Sequence, residues 1–235
     1  MKAASTSQPV YLLAGGPGSR RTGPDPLLQL VFSDIGKPSP LIAYIGAASG
    51  DNPDFFKWLS THFKNSGAGE VTLAAMASVR ANPAKTLALL EKADLVFISG
   101  GDVEEGMSLL EKRSMIPLLH RLYKAGKPFF GLSAGSIMLA KSWVRWADPD
   151  DDRTAKPFNC LGFVPILCDM HAESDDWAEL KVLLQLQPEG AIGFGIPSNT
   201  ALRMHPNGTL TPIGGEIVRF QWQGHEVKKL TPLRN

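Results

Sequence analysis

The stretch Phe129-Phe130-Gly131-Leu132-Ser133-Ala134-Gly135-Ser136 decides how this chain is read. An apolar run ends at a serine set between small residues, and an apolar helical segment, Ile137-Met138-Leu139-Ala140, begins at once. A serine between glycines at a strand-to-helix junction is the pattern of a nucleophile elbow: the turn is strained, and strand and helix nearly touch. The GxSxG string alone is common, so the context on either side carries the inference. The plainer alternative is a tight turn whose serine caps the helix.

On either side of the elbow, short apolar runs recur at Val10 to Ala14, Leu41 to Ile45, Val71 to Ala75 and Leu95 to Ile98, with Pro128 to Leu132 leading into the serine. Runs of this length and composition predict strands buried on both faces, hence a parallel sheet. Between them, Phe55, Leu59 and Phe63 share a helical face, Asn82-Pro83 opens a segment with Leu87 and Leu90, and Ile116, Leu119, Leu122 and Tyr123 mark a further helix. Later, Ile192 to Ile196, Ala201 to Met204 and Thr209 to Pro212 are shorter runs, the last two flanking the hairpin signal Asn207-Gly208. The expected fold is α/β: a three-layer sandwich with a mostly parallel central sheet, residues 1–235 forming one catalytic domain and residues 1–9 a flexible N-terminus.

A serine that attacks an acyl carbon needs oxyanion donors and a base. At the start of a helix, the Ala134 amide faces the substrate, and Gly100-Gly101-Asp102, closing the neighbouring strand, supplies a second donor in Gly101. Gly15-Gly16-Pro17-Gly18 follows the first strand and lines the same edge; Arg21 stands where a dinucleotide fingerprint begun at Gly16 needs glycine, so a Rossmann cofactor is rejected. Of the five histidines, His62 and His120 sit in helical segments, His205 beside the hairpin turn, and His225 near the C-terminus. His171 closes the apolar run Phe163 to Met170 and is the expected base. The orienting carboxylate is left open between Asp148, in an Asp-rich run whose plainer reading is a solvated loop, and Asp169 or Glu173, which flank the histidine; no metal or cofactor is expected. The run Asp148-Pro149-Asp150-Asp151-Asp152 imitates the start of a calcium loop, but Arg153 and Asn159 replace its turn glycine and bidentate glutamate.

Composition narrows the partners. With 43% hydrophobic and 20% charged residues and a formal net charge of +1, the chain has no basic block for a phosphate backbone or anionic membrane. Nucleic acid and membrane are not expected partners. The N-terminus carries no long apolar run, and two cysteines, Cys160 and Cys168, form no CxxC pair, so buried free thiols in a cytoplasmic protein are expected. Trp143 and Trp146 flank Val144 and belong either to a pocket wall or to a homodimer interface.

These motifs resemble peptidase family S51, the dipeptidase E and cyanophycinase group, whose fold is that of class I glutamine amidotransferases with serine replacing the cysteine nucleophile. The resemblance rests on Ile98-Ser99-Gly100-Gly101-Asp102, the elbow, Asp169-Met170-His171, and Gly195-Ile196-Pro197-Ser198-Asn199-Thr200-Ala201-Leu202. It implies Ser133 as nucleophile, His171 as base, the amides of Gly101 and Ala134 as oxyanion hole, and Gly16, Gly100, Asp102, Ser198 and Asn199 as substrate-binding. Asp148 stands where aspartyl dipeptidases carry an aspartate. Three positions depart from the pattern: Ser198 replaces the late glutamate that orients the histidine, Ala172 to Trp177 contains no arginine, and Val103 replaces the cyanophycinase glutamine. The acidic residues near His171 disfavour an aspartyl substrate and suit a basic or uncharged amino group. The implied activity is that of a serine exopeptidase, dipeptidase or isopeptidase working through an acyl-enzyme. The competing readings are a catalytically idle binding protein, for which the Ser198 departure speaks, and an α/β-hydrolase esterase using His205 or His225.

Overall fold

Three helices begin the same way: Asp25, Asn52 and Asn82 each precede a proline and accept hydrogen bonds from the first free amides of the helix. The side-chain oxygen satisfies donors that have no partner inside the helix, and proline costs nothing at the first helical position. The computed structural model describes residues 8–15 and 23–234. Its strands are β1 (Val10–Leu13), β2 (Ile42–Ile45), β3 (Val71–Leu73), β4 (Leu95–Ile98), β5 (Phe129–Leu132), β6 (Ser142–Trp146), β7 (Ala155–Asn159), β8 (Leu167–Met170), β9 (Ile192–Ile196), β10 (Ala201–Met204), β11 (Leu210–Ile213), β12 (Ile217–Trp222) and β13 (Val227–Leu233). The helices are α1 (Pro26–Asp34), α2 (Pro53–Asn65), α3 (Pro83–Lys92), α4 (Val103–Lys112), α5 (Ile116–Lys124), α6 (Ala134–Leu139) and α7 (Ala178–Gln185).

The main sheet runs β11-β10-β1-β5-β4-β2-β3. Its five expected strands pair in parallel, and the Asn207-Gly208 hairpin adds β10 antiparallel to β1, with β11 outside it. Alternation along β1 shows why both faces need cover: Val10 and Leu12 enter one apolar cluster, Tyr11 and Leu13 the other. Helices α1 and α2 close the second face with Leu28, Phe32, Leu59 and Phe63, which meet Phe97 and Phe130 of the sheet.

The opposite face carries α3 to α6 and also a second sheet, order β13-β12-β9-β8, which the sequence reading did not foresee. Leu180, Leu183 and Leu184 of α7 join Leu167, Met170, Ile196 and Phe220 in the same buried cluster as Ile98 and Met138. The polar excursion after Trp146 is the tip of a β6–β7 hairpin. The second sheet matters because its β8 ends at His171.

Candidate active site

Strands β1, β5 and β4 are adjacent and parallel, so their last residues, Leu13, Leu132 and Ile98, reach one edge. Ser133 follows β5 with φ 52° and ψ −122°, a backbone conformation that side chains other than glycine rarely hold. It is held there by its neighbours. The Ser133 amide donates to Leu13 O at 2.9 Å, and the buried Ser136 hydroxyl donates to the same carbonyl at 2.9 Å. A Cβ on Gly135 would lie 2.1 Å from Ile98 O, so only glycine lets α6 start against the end of β4. That contact brings the Gly100-Gly101 turn beside the serine: a Cβ on Gly100 would be 3.3 Å from Ser133 Cβ. Gly101 has φ 142° and backs onto Ala48. Among the described residues, neither the Gly101 nor the Ala134 amide donates within the chain.

His171 arrives from the second sheet. Its amide donates to Ile196 O at 2.9 Å, continuing the β8–β9 pairing, while φ 45° turns the chain out of the strand. The imidazole Nε2 lies 2.7 Å from Ser133 Oγ, within hydrogen-bond reach. His205 instead bonds Thr211 at 2.9 Å inside the hairpin and His225 is exposed in the β12–β13 turn, so the histidine order required by an α/β-hydrolase esterase is not met.

Two of the candidate orienting carboxylates bond elsewhere. Asp148 is exposed in the β6–β7 hairpin, where Oδ1 accepts from the Asp150 amide at 3.1 Å; a short Asp-rich turn satisfies its own amides and does not reach the imidazole. Asp169 is 5% exposed, and Oδ1 accepts from the following amide, Met170, at 2.7 Å. Among the described residues no hydrogen bond links Asp169 to the imidazole, and φ 45° at His171 takes the chain out of the strand on which alternation would align the two. Burial, reinforced by Glu179, Asp175 and Glu173, lifts the Asp169 carboxyl to about 7, against the pull of the Met170 amide. Glu179 is raised too, first by desolvation, then by Asp175 and Asp102.

Sequence reasoning missed the role of Glu173 in the structure. Its carboxylate accepts from the Ser198 amide at 2.6 Å and the Ser198 hydroxyl at 3.4 Å, tying the turn after His171 to the segment after β9. The signal was the departure itself, a hydroxyl where a carboxylate is usual. Asn199, φ 62°, donates its amide to Gly15 O at 2.8 Å and lines the cleft beside His171. Asp102 caps α4, Oδ1 accepting from Glu105 N at 2.8 Å. Gly16 lies outside the described residues.

The model of peptidase family S51 matches residues 11–211. The chain belongs to this family. Among curated sequences similar to this S51 chain, Peptidase E of Streptomyces coelicolor is 33% identical over 85 residues, 36% of this chain and 35% of its own length. The pyridoxal 5'-phosphate synthase subunit PdxT of Hyperthermus butylicus is 39% identical over 69 residues, 29% of this chain and 34% of that protein. The S51 chain thus spans about a third of the length of the curated relatives it matches. A solved peptidase from an acI-B1 actinobacterium superposes with TM-score 0.72 at 16% identity, covering 96% of this chain and 94% of that one. A Listeria monocytogenes protein named for peptidase E superposes with TM-score 0.62 at 14% identity, covering 96% and 100%. At these identities the likeness is one of fold. Among the described residues no helix is long and apolar enough to cross a membrane.

Proposed function

We propose that this S51 chain is a serine peptidase that hydrolyses a small peptide or isopeptide through an acyl-enzyme, with Ser133 as nucleophile and His171 as its base. The observation that carries this reading is the 2.7 Å contact between Ser133 Oγ and His171 Nε2 at a strained elbow. His171 takes the hydroxyl proton as Oγ attacks the scissile carbonyl, and the tetrahedral oxyanion forms against the Gly101 and Ala134 amides at the start of α6. Collapse breaks the C–N bond, His171 returns the proton to the leaving amine, and water, deprotonated by the same imidazole, releases the acid. Catalysis here rests on the chain's own groups. Glu173, through Ser198, replaces a direct carboxylate contact by bracing the segment behind the histidine.

The idle-protein reading is kept apart by one experiment. Exposure to a broad serine-reactive fluorophosphonate, read by intact mass, gives one adduct on the wild type, none on Ser133→Ala, and labelling slowed roughly 100-fold or more on His171→Ala. No adduct on the folded wild type would falsify the proposal.

A further inference from the structure

Ser133, His171 and Gly101 belong to two cavities at once, one on each side of the nucleophile. The first, about 260 Å³, is walled by Phe55, Trp58, Phe63, Phe97, Phe130 and Leu132, with the His62–Asp25 pair, 3.4 Å apart, as a polar spot already satisfied within the protein. The second, about 460 Å³, is lined by Trp143 and Trp146 of β6 and by five acidic residues, Asp102, Glu104, Asp169, Asp175 and Glu179. Its cation, Arg145, is already paired with Glu104 at 3.1 Å. Of the other four carboxylates, two have structural duties: Asp102 caps α4 and Asp175 accepts from the Trp177 amide at 3.0 Å. Asp169 is different. It is 5% exposed, lines the cavity, and among the described residues its Oδ2 has no hydrogen-bond partner and neither oxygen has a cation.

A carboxylate 5% exposed, its free oxygen open only to the cavity and with no cation beside it, is costly to ionise, and a positive group entering the cavity would relieve it. Among the described residues these side chains line the walls without three of them converging on one point, and two indoles stand beside them. Such a cavity fits a cation on an apolar stem, whose methylenes pack on the indoles while its head meets the acids. We infer that the cleft takes a peptide with a basic side chain in the acidic cavity and an apolar side chain in the aromatic one, the scissile carbonyl crossing Ser133 between them. This assignment rests on the peptidase reading for its chemistry but not for its binding.

The test therefore measures binding on protein that cannot turn over. Calorimetric titration of Ser133→Ala with Lys-Phe and Phe-Lys, against Asp-Phe and Phe-Asp, should show the better basic peptide binding roughly tenfold or more tightly than its acidic twin. Glu179→Gln should shrink that preference by about threefold, and Asp169→Asn by more. The Glu179 variant carries the test if asparagine at the buried position impairs folding. An acidic twin that binds as tightly, or a preference that survives both substitutions, overturns the inference. Wild-type hydrolysis of the same four peptides separates the two proposals: preference in binding without turnover removes the peptidase reading alone, and turnover favouring the acidic peptides removes the subsite assignment alone.

Discussion

The serine and the histidine of this site are only 2.7 Å apart, yet they are held by different physics. Ser133 sits at the end of a central parallel strand, fixed mainly by close backbone contacts: its amide and the buried Ser136 hydroxyl both bond Leu13 O, and Gly135 meets Ile98 O too closely for any side chain. His171 sits at the end of a strand in the smaller sheet, fixed by one main-chain bond to Ile196 and then by a side-chain tie, Glu173 to Ser198. Backbone against backbone leaves one geometry; a side-chain brace leaves room to adjust. The serine half is therefore expected to fail by unfolding when altered, and the histidine half by degrees.

The largest effect tests the first half. Gly135→Ala places a methyl 2.1 Å from Ile98 O, where no side chain can yield, so α6 must separate from β4. The expected loss is about 3 kcal/mol or more by urea unfolding, with the fluorophosphonate adduct lost in whatever remains folded. Stability within about 0.5 kcal/mol of wild type would mean that the elbow is not over-determined, and the contrast between the two halves would collapse.

Asp169 provides the next step down. Its folded carboxyl titrates near 7, above the ordinary carboxylate value, so between about pH 4 and 7 the folded chain binds a proton that the unfolded chain has given up. That stabilisation is complete below the unfolded value and is lost as pH rises through 7. The amide introduced by Asp169→Asn keeps an oxygen for the Met170 N–H and never ionises. This variant is therefore expected to gain about 1–2 kcal/mol relative to wild type between pH 5 and pH 8, seen as a difference in Tm that opens with pH. A pH-independent difference would place the cost in packing and not in charge.

Much of this division follows how far apart the contributing residues lie in the chain. The elbow is local: strand, serine and helix occupy Phe129 to Ala140, and small residues mark the close approach, so the sequence discloses it. The same holds for the five buried strands of the main sheet, whose apolar runs allow no other placement, and for the Asn207-Gly208 hairpin. The second sheet is harder because β12 and β13 are half-exposed and β13 carries Lys228 and Lys229, which reads as solvent-facing chain. His171 was legible as the end of an apolar run, while its surroundings were not. Asp148 and Asp169 fitted by spacing, but spacing does not say that one caps its own turn and the other turns inward. The Phe55, Leu59 and Phe63 stripe was legible as packing; that all three also line a cavity at Ser133 depends on where α2 lies against the sheet.

The smallest effect bears on the part of the site that spacing concealed. Glu173 lies two residues beyond His171, and its carboxylate receives both donors of Ser198, so it either braces the loop by hydrogen bonding or acts through its charge. The two roles separate by substitution. Glu173→Ala removes both and should slow fluorophosphonate labelling of Ser133 roughly three- to tenfold, at a cost in Tm of no more than about 2 °C for so exposed a side chain. Glu173→Gln keeps an oxygen for the Ser198 amide and loses the charge. If the brace is what counts, glutamine restores labelling to within about twofold of wild type and leaves its pH midpoint unmoved. A glutamine variant as slow as the alanine one, with the midpoint displaced downward, would instead make Glu173 the charge that favours the imidazolium, and the histidine half would resemble an ordinary triad more closely than its geometry indicates. Labelling unchanged in both variants would mean that the β8–β9 pairing alone fixes His171, removing the contrast with Ser133 from the other side.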